Sequence, residues 1–437
     1  MQSADLDVAQ VVVRSAKPGE EVACLIASTS RKMVRFSNGE FTVSQAWNEI
    51  ETAILYKNRG SIAVGSTLST ATDAALSLLD RLRISAASMK PKQDFSKLAP
   101  KSSYKPLTEA PKEPVSDGML ADMVLRADSA ASANGAERSA VVLNSEDNSW
   151  HLVTTTGAEL TATSTSNHLV IRAFSGQGSG QGITASSRLS NLNPEAAGGR
   201  AGELARDARS PEPGEEGYFD VVLDPSIFAN LVDSIGYASS AYSVESGFSF
   251  LAGRLGNDVA PPFLSIYDDG LLKDGLLVRP FDDEGYPTQR TSIIEAGHLR
   301  HYLTNSHFSN KMGIPNTANA GWIEPRPWNL EVSAGKDEES DLFSGHVIYI
   351  TNNWYTRFQN YVTGDFSTIL RDAVFEVKEG KRIRALKGLR LSDNLPRMLS
   401  SITALGNRQY LIRWWEVETP VLLPYVRISG VHLTSAG

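Results

Sequence analysis

The segment Ser210-Pro-Glu-Pro-Gly-Glu-Glu-Gly217 separates two stretches of this chain that carry different folding patterns. Its prolines lack amide donors and its glycines carry no side chain to pack, so neither a continuous helix nor a central strand is expected to cross it. Before it, hairpin-like strand pairs alternate with helical periodicity. After it, strand-like runs dominate. The fold class expected is therefore α+β: amino-terminal hairpin–helix units followed by a β-rich carboxy-terminal domain. The boundaries expected are 1–87 for a first α/β subunit, 88–115 for a Pro/Lys-rich linker, 116–210 for a second α/β subunit and 217–437 for the carboxy-terminal domain.

In the first stretch, Glu21–Ser28 reads as a strand. A hairpin is expected from Val34–Phe36 through Asn38-Gly39 into Phe41–Trp47, because Asn-Gly suits a type I′ turn. Thr52–Lys57 and Ser61–Gly65 form a second hairpin across Asn58-Arg59-Gly60. Thr70–Ala86 has apolar residues at 75, 78, 79 and 82, the spacing of an amphipathic helix. Residues 88–115 hold five prolines and six lysines with little apolar periodicity, and read as a solvated crossing rather than a basic tether. Ser116–Ala133 is helical with Ser116 or Asp117 as cap. Another helix spans Asn193-Pro194 to Arg209. The order after Gly39 (Thr/Ser-rich strand, apolar strand, glycine turn, strand, helix) recurs after Gly157, which points to a duplicated unit.

Beyond Gly217, strands are expected at 219–223, 263–267, 276–279, 292–295, 347–351, 373–378 and 421–428. Two helices interrupt them. One begins at Asp224-Pro225; the other runs from Pro396 to Leu405 and stops at Gly406.

A net charge of −8 argues against sequence-independent DNA binding, which needs concentrated Lys and Arg against phosphates. The single cysteine, Cys24, excludes an intramolecular disulfide and fits a cytoplasmic protein. The start, Met1-Gln-Ser-Ala-Asp-Leu-Asp-Val8, has no basic or apolar signal region, and no apolar run approaches the roughly 20 residues of a membrane helix. Neither a nucleic-acid nor a membrane partner is expected.

The chemistry-bearing pattern lies between Gly217 and Gly285. It reads Gly217-Tyr-Phe-Asp-Val-Val-Leu-Asp-Pro225, then Leu231-Val-Asp-Ser-Ile-Gly-Tyr237, Asp268-Asp269-Gly270 and Phe281-Asp-Asp-Glu-Gly-Tyr-Pro287. Thr363-Gly-Asp-Phe-Ser367 and Thr419-Pro-Val-Leu-Leu423 follow. Together these resemble the TldD/PmbA family of two-subunit metallopeptidases, also described as modulators of DNA gyrase. In that family one subunit carries H-E-x-x-x-H and a later cysteine ligand, while the TldE (PmbA)-type subunit keeps the fold without the metal site. A hydrolytic zinc needs imidazole or thiolate ligands and a carboxylate for the bound water's proton. Here the equivalent positions are Val232, Asp233 and Tyr237. The region of the family's cysteine reads Tyr410-Leu-Ile-Arg-Trp-Trp-Glu-Val417, and Cys24 is far from it.

Other constellations read as structure. His298, His301 and His307 are close in sequence, but positions three apart on a strand face opposite ways. Asp282-Asp283-Glu284 is expected to cap amides and pair with Arg279 or Arg290 rather than bind a cation. Gly176-Gln-Gly-Ser-Gly-Gln-Gly182 lacks the Lys-Ser/Thr of a phosphate loop and reads as a flexible hairpin tip. The run Asn352-Asn-Trp-Tyr-Thr-Arg-Phe358 suits a substrate wall or a subunit interface.

The resemblance implies the non-metal, TldE (PmbA)-like subunit of a metallopeptidase, with no catalytic residue, metal or cofactor of its own. Its partner would be a metal-bearing TldD-like homologue, and its substrate an unfolded or small peptide or a peptide-like precursor. Two alternatives stay open: a homodimer that binds a peptide or small molecule without hydrolysing it, and a metal-independent hydrolase using Asp233 or Glu245.

Overall fold

A computed structural model describes residues 2–89, 98–100 and 114–435, with side chains from residue 7 onward. The amino-terminal part builds one sheet from two copies of one motif. The first copy is α1 (Gln2–Arg14), β1 (Glu20–Ser37), β2 (Glu40–Asn58), β3 (Ser61–Thr67) and α2 (Thr72–Ser88). The second is α3 (Asp117–Ala133), β4 (Arg138–Thr154), β5 (Glu159–Ser175), β6 (Gly178–Ser186) and α4 (Pro194–Asp207). The strand order β3-β2-β1-β4-β5-β6 makes the copies two-fold related about the antiparallel β1–β4 pair. Each copy buries a core under its helices, one around Leu79 and Ile54, the other around Leu120 and Leu169.

The turns and caps form where the sequence places them. Asn38 and Gly39 both take positive φ, as do Arg59 and Gly60. The Ser116 hydroxyl accepts the Met119 amide, and the Asn193 side chain accepts that of Ala196. Three expectations change. The runs 41–47 and 52–57 are halves of the single strand β2, and 21–28 and 34–36 belong to β1, because the polar residues between them stay paired across the sheet. The glycine run is no flexible tip. A Cβ at Gly178, Gly180 or Gly182 would strike backbone oxygens of α4, so these glycines let β6 and α4 approach closely. Most of segment 88–115 lies outside the described residues. Its Leu98 and Ala99 are buried, so that stretch is not solvated.

The carboxy-terminal part has two sheets around one core. A six-stranded sheet runs in the order His298–Leu299, Arg290–Glu295, Ile266–Asp269, Leu330–Val332, Val417–Leu423, Tyr410–Trp414. In the larger sheet Gly217–Leu223 lies between His346–Ile350 and Val426–Ser435, and Asn353–Asn360 forms one edge. Helix α5 (Pro225–Ala238) contributes Ile227, Phe228, Leu231, Val232 and Ile235 to the core that the two sheets share. A helix buried on so much of its circumference needs a wide apolar face, which it has outside a single polar stripe. Residues 276–279 form no strand, and 421–428 splits into two strands around Pro424. The expected helix 396–405 covers only Leu395–Ser400, because Ile402–Leu405 pairs instead with Val426–Ser435.

The two parts are tied by partly buried polar contacts. Arg172 pairs with Asp372 at 2.6 Å, and Arg413 reaches Glu146 at 3.2 Å and the Ser166 hydroxyl at 2.7 Å. Phe281 enters an apolar cluster with Leu25, Leu152 and Leu160, which seats the following acidic loop against the amino-terminal sheet.

Candidate functional site

Helix α5 is held at its start by Asp224. One carboxylate oxygen caps the Ser226 amide at 3.1 Å; the other accepts the Tyr349 and Tyr425 hydroxyls and Arg200 of α4. Pro225 follows at the first helical position, where its missing amide costs nothing. Anchored this way, α5 presents Asn230, Asp233, Ser234 and Tyr237 along one stripe, at the i, i+3, i+4, i+7 spacing. That stripe forms one wall of a cleft of about 590 Å³. Val232 points away from it and is wholly buried in the core.

The opposite wall comes from the aromatic run and from the turn after Trp414. Arg357, Phe358 and Tyr361 line the cleft, as do Trp415, Glu416 and Glu418, while Phe248 and Phe250 complete one side. The rings pack on each other: Phe358 stacks on Tyr361 at 5.3 Å, and Trp354 meets Trp415 edge-on at 5.0 Å. The backbone bulges at Tyr355, which takes φ +59°. Glu416 stabilises that conformation by accepting the Tyr355 amide at 2.8 Å and the Thr356 amide at 3.2 Å. Beneath it the Asn230 side chain donates to the Glu416 carbonyl at 2.6 Å and accepts from Asn353 and Thr356. The cleft wall is thus preformed by a connected polar network.

At the floor, Asp233 is almost fully buried. Its Oδ2 accepts the Glu418 amide at 3.0 Å, while its Oδ1 has no hydrogen-bond partner. Burial pushes its carboxyl up to about 7, against the opposing pull of the Glu418 amide and the neighbouring Thr419 dipoles. The Tyr237 hydroxyl donates to Glu418 Oε2 at 3.1 Å. Burial first, then the neighbouring Asp233 and Glu418 charges, raises the Tyr237 phenol above its usual range.

These donors do not fit a hydrolytic zinc. The cleft offers carboxylate and phenol oxygens and no imidazole or thiolate. Among the described residues no three His, Cys, Asp or Glu side chains cluster as a metal site. Cys24 lies in the core of the first amino-terminal unit, its thiol pushed up to about 12 by burial.

The other candidates are placed elsewhere. Glu245 pairs with Lys311 and does not line the cleft, so it is separated from Asp233. His298 pairs with Asp258, and His301 donates through Nδ1 to the Ser292 carbonyl at 2.9 Å. In the acidic loop Asp283 meets Arg279 at 2.6 Å, while Arg290 pairs with Glu331 instead. Asp282 accepts the Glu284, Tyr286 and Ala320 amides, and Glu284 accepts the Ser306 amide. Sequence reasoning did not single out Asn230, Phe248, Phe250, Tyr361 or Glu418. The spacing of Glu416 and Glu418 around Val417 was the available signal, since alternate residues of an extended segment share a face.

Residues 216–435 match the family model described as PmbA/TldA metallopeptidase C-terminal domain, which is half of the chain. The chain belongs to this PmbA/TldD family. It is 30% identical to the metalloprotease PmbA of Escherichia coli O157:H7 over 218 residues, 47% of this chain and 46% of that one. A Methanothermobacter thermautotrophicus metalloprotease is 26% identical over 302 residues, covering 65% and 66%. The chain thus spans about half to two thirds of the length of such curated relatives. TldE from Thermococcus kodakarensis superposes with a TM-score of 0.84 at 15% identity, covering 99% of this chain and all of that one. A Thermotoga maritima protein whose name links it to DNA gyrase modulation gives 0.86 at 21% identity, with the same coverage. At these identities the two structures establish the fold.

Proposed function

We propose that this chain is the non-metal, TldE (PmbA)-like subunit of a TldD/TldE-type metallopeptidase, with catalysis in a metal-bearing partner. The observation that carries this reading is the state of the motif helix. Val232 is buried in the core, and Asp233 and Tyr237 are held by the strand at Glu418 where a metal site would need nitrogen or sulfur donors. The cleft's extended aromatic wall and formed floor suit a chamber component that confines an unfolded or small peptide. The partner's H-E-x-x-x-H helix would supply the zinc and the activated water; this chain's part is to bind, orient and exclude. The working location is the cytoplasm; no helix among the described residues is long and apolar enough to cross a membrane.

The test is reconstitution with a homologue carrying H-E-x-x-x-H. Cleavage of an unstructured reporter peptide is expected only from the mixture, to be lost with chelator, and to survive Asp233→Ala in this chain. Chelator-resistant cleavage by this chain alone that dies in Asp233→Ala would replace the proposal with a metal-independent hydrolase. A stable homodimer that binds the peptide and ignores the homologue would replace it with a binding protein.

A further inference from the structure

We propose that the cleft beside α5 is a binding site for an organic ammonium group carried on an apolar, aromatic-sized body, as presented by a small amine or by the amino terminus of a peptide. The volume, about 590 Å³, is that of a small-ligand site rather than a packing defect. Its walls divide into two chemistries. Phe248, Phe250, Phe358, Tyr361 and Trp415 give an apolar lining whose ring faces favour a cation. Among the described lining residues the carboxylates of Asp233, Glu416 and Glu418 outnumber the Arg357 guanidinium.

The carboxylates are not equally engaged. Both oxygens of Glu416 are taken by the Tyr355 and Thr356 amides, so its role is to shape the wall. Glu418 is exposed and its Oε2 accepts the Tyr237 hydroxyl, which leaves Oε1 for a ligand. Asp233 lies just beneath, more than nine-tenths buried, with Oδ1 unpartnered. An ammonium at Glu418 would therefore meet a charge-assisted acceptor, with a second carboxyl behind it and aromatic rings around its body. An anionic ligand would meet the Glu418 carboxylate, and a neutral one would leave its Oε1 without a cationic partner.

Asp233 adds a pH signature. The groups acting on it are Tyr237 on its own helix and Glu418 and Thr419 on the adjoining strand; Arg357 and Glu416 line the same cleft. Its carboxyl holds a proton up to about 7. A bound cation favours the ionised form, so binding should release a proton near neutrality and strengthen as pH rises.

This inference does not rest on the subunit reading, because it is measured on the chain alone without its partner. The probes are phenethylamine hydrochloride and phenylalanyl-glycinamide, with 2-phenylethanol and the N-acetyl dipeptide amide as uncharged counterparts, by titration calorimetry. We expect saturable binding of at least one amine and counterparts weaker by about tenfold or more. Glu418→Gln should cost a similar factor while keeping the wild-type thermal transition, and the affinity of phenethylamine, which stays protonated throughout, should drop between pH 8 and pH 5.5. Binding of both amines marks a small-amine site; binding of the dipeptide alone marks recognition of an amino terminus. Counterparts that bind as tightly as the amines, unchanged affinity in a folded Glu418→Gln variant, or no saturable heat with either amine overturns the inference.

Discussion

Replacing Asp233 by asparagine removes a titration that the fold has displaced. In the unfolded chain this carboxyl loses its proton near the ordinary value of 3.8; in the folded chain burial holds it to about 7. Between those values the unfolded state binds fewer protons, so the sign is fixed: stability falls as pH rises. The contribution is intact below the unfolded value and is lost as pH climbs to the folded one. From pH 5 to pH 8 this single group removes about 2 to 3 kcal/mol from the wild type. Asparagine keeps an acceptor for the Glu418 amide and carries no charge to desolvate. Asp268 and Glu284, also raised to about 7 by burial, titrate in both proteins and cancel in the difference. Urea unfolding of wild type and Asp233→Asn at both pH values gives the comparison. The variant should gain about 2 to 3 kcal/mol relative to wild type between pH 5 and pH 8, whatever its offset at pH 5. A relative change below about 0.5 kcal/mol would refute the buried, protonated carboxyl and the pH signature built on it.

Further expectations follow from the same structure. Gly182→Ala places a methyl against the Ala197 carbonyl of α4, a backbone atom that cannot rotate aside, and should cost about 1–3 kcal/mol in urea unfolding. Asp283→Ala strands the fully buried Arg279 guanidinium, whose Nε and Nη2 already lack partners; a loss of about 3–5 kcal/mol is expected, and Arg279→Met/Asp283→Leu should recover most of it. Glu416→Ala frees the Tyr355 and Thr356 amides at a strained bulge, and should cost about 2 kcal/mol while raising tryptophan-fluorescence accessibility to acrylamide at Trp354 and Trp415.

Local features were legible in the sequence because they are set by local chemistry. Asn38-Gly39 needs left-handed backbone, Asn193-Pro194 and Asp224-Pro225 cap helices, and the repeat after Gly157 reflects a duplicated motif. The length of β1 and β2 was not legible: their polar middles are half-buried in β1 and largely exposed in β2, so the apolar alternation fades where pairing continues. The glycine run misled for a related reason. Gly178, Gly180 and Gly182 are small because a helix 15 or so residues later lies on them, which only tertiary structure reveals. At the site, the missing ligands at Val232 and Tyr237 could be read from the chain. The cleft could not, because it joins residues 230–237, 248–250, 356–361 and 415–418, brought together only by the two sheets.

The most direct test of the central claim is the zinc content of the purified chain by elemental analysis, with peptide cleavage read on the same sample. We predict no stoichiometric zinc and no cleavage from the chain alone, and both once the metal-bearing homologue is added. Near one zinc per chain with chelator-sensitive cleavage in the absence of any partner would contradict it.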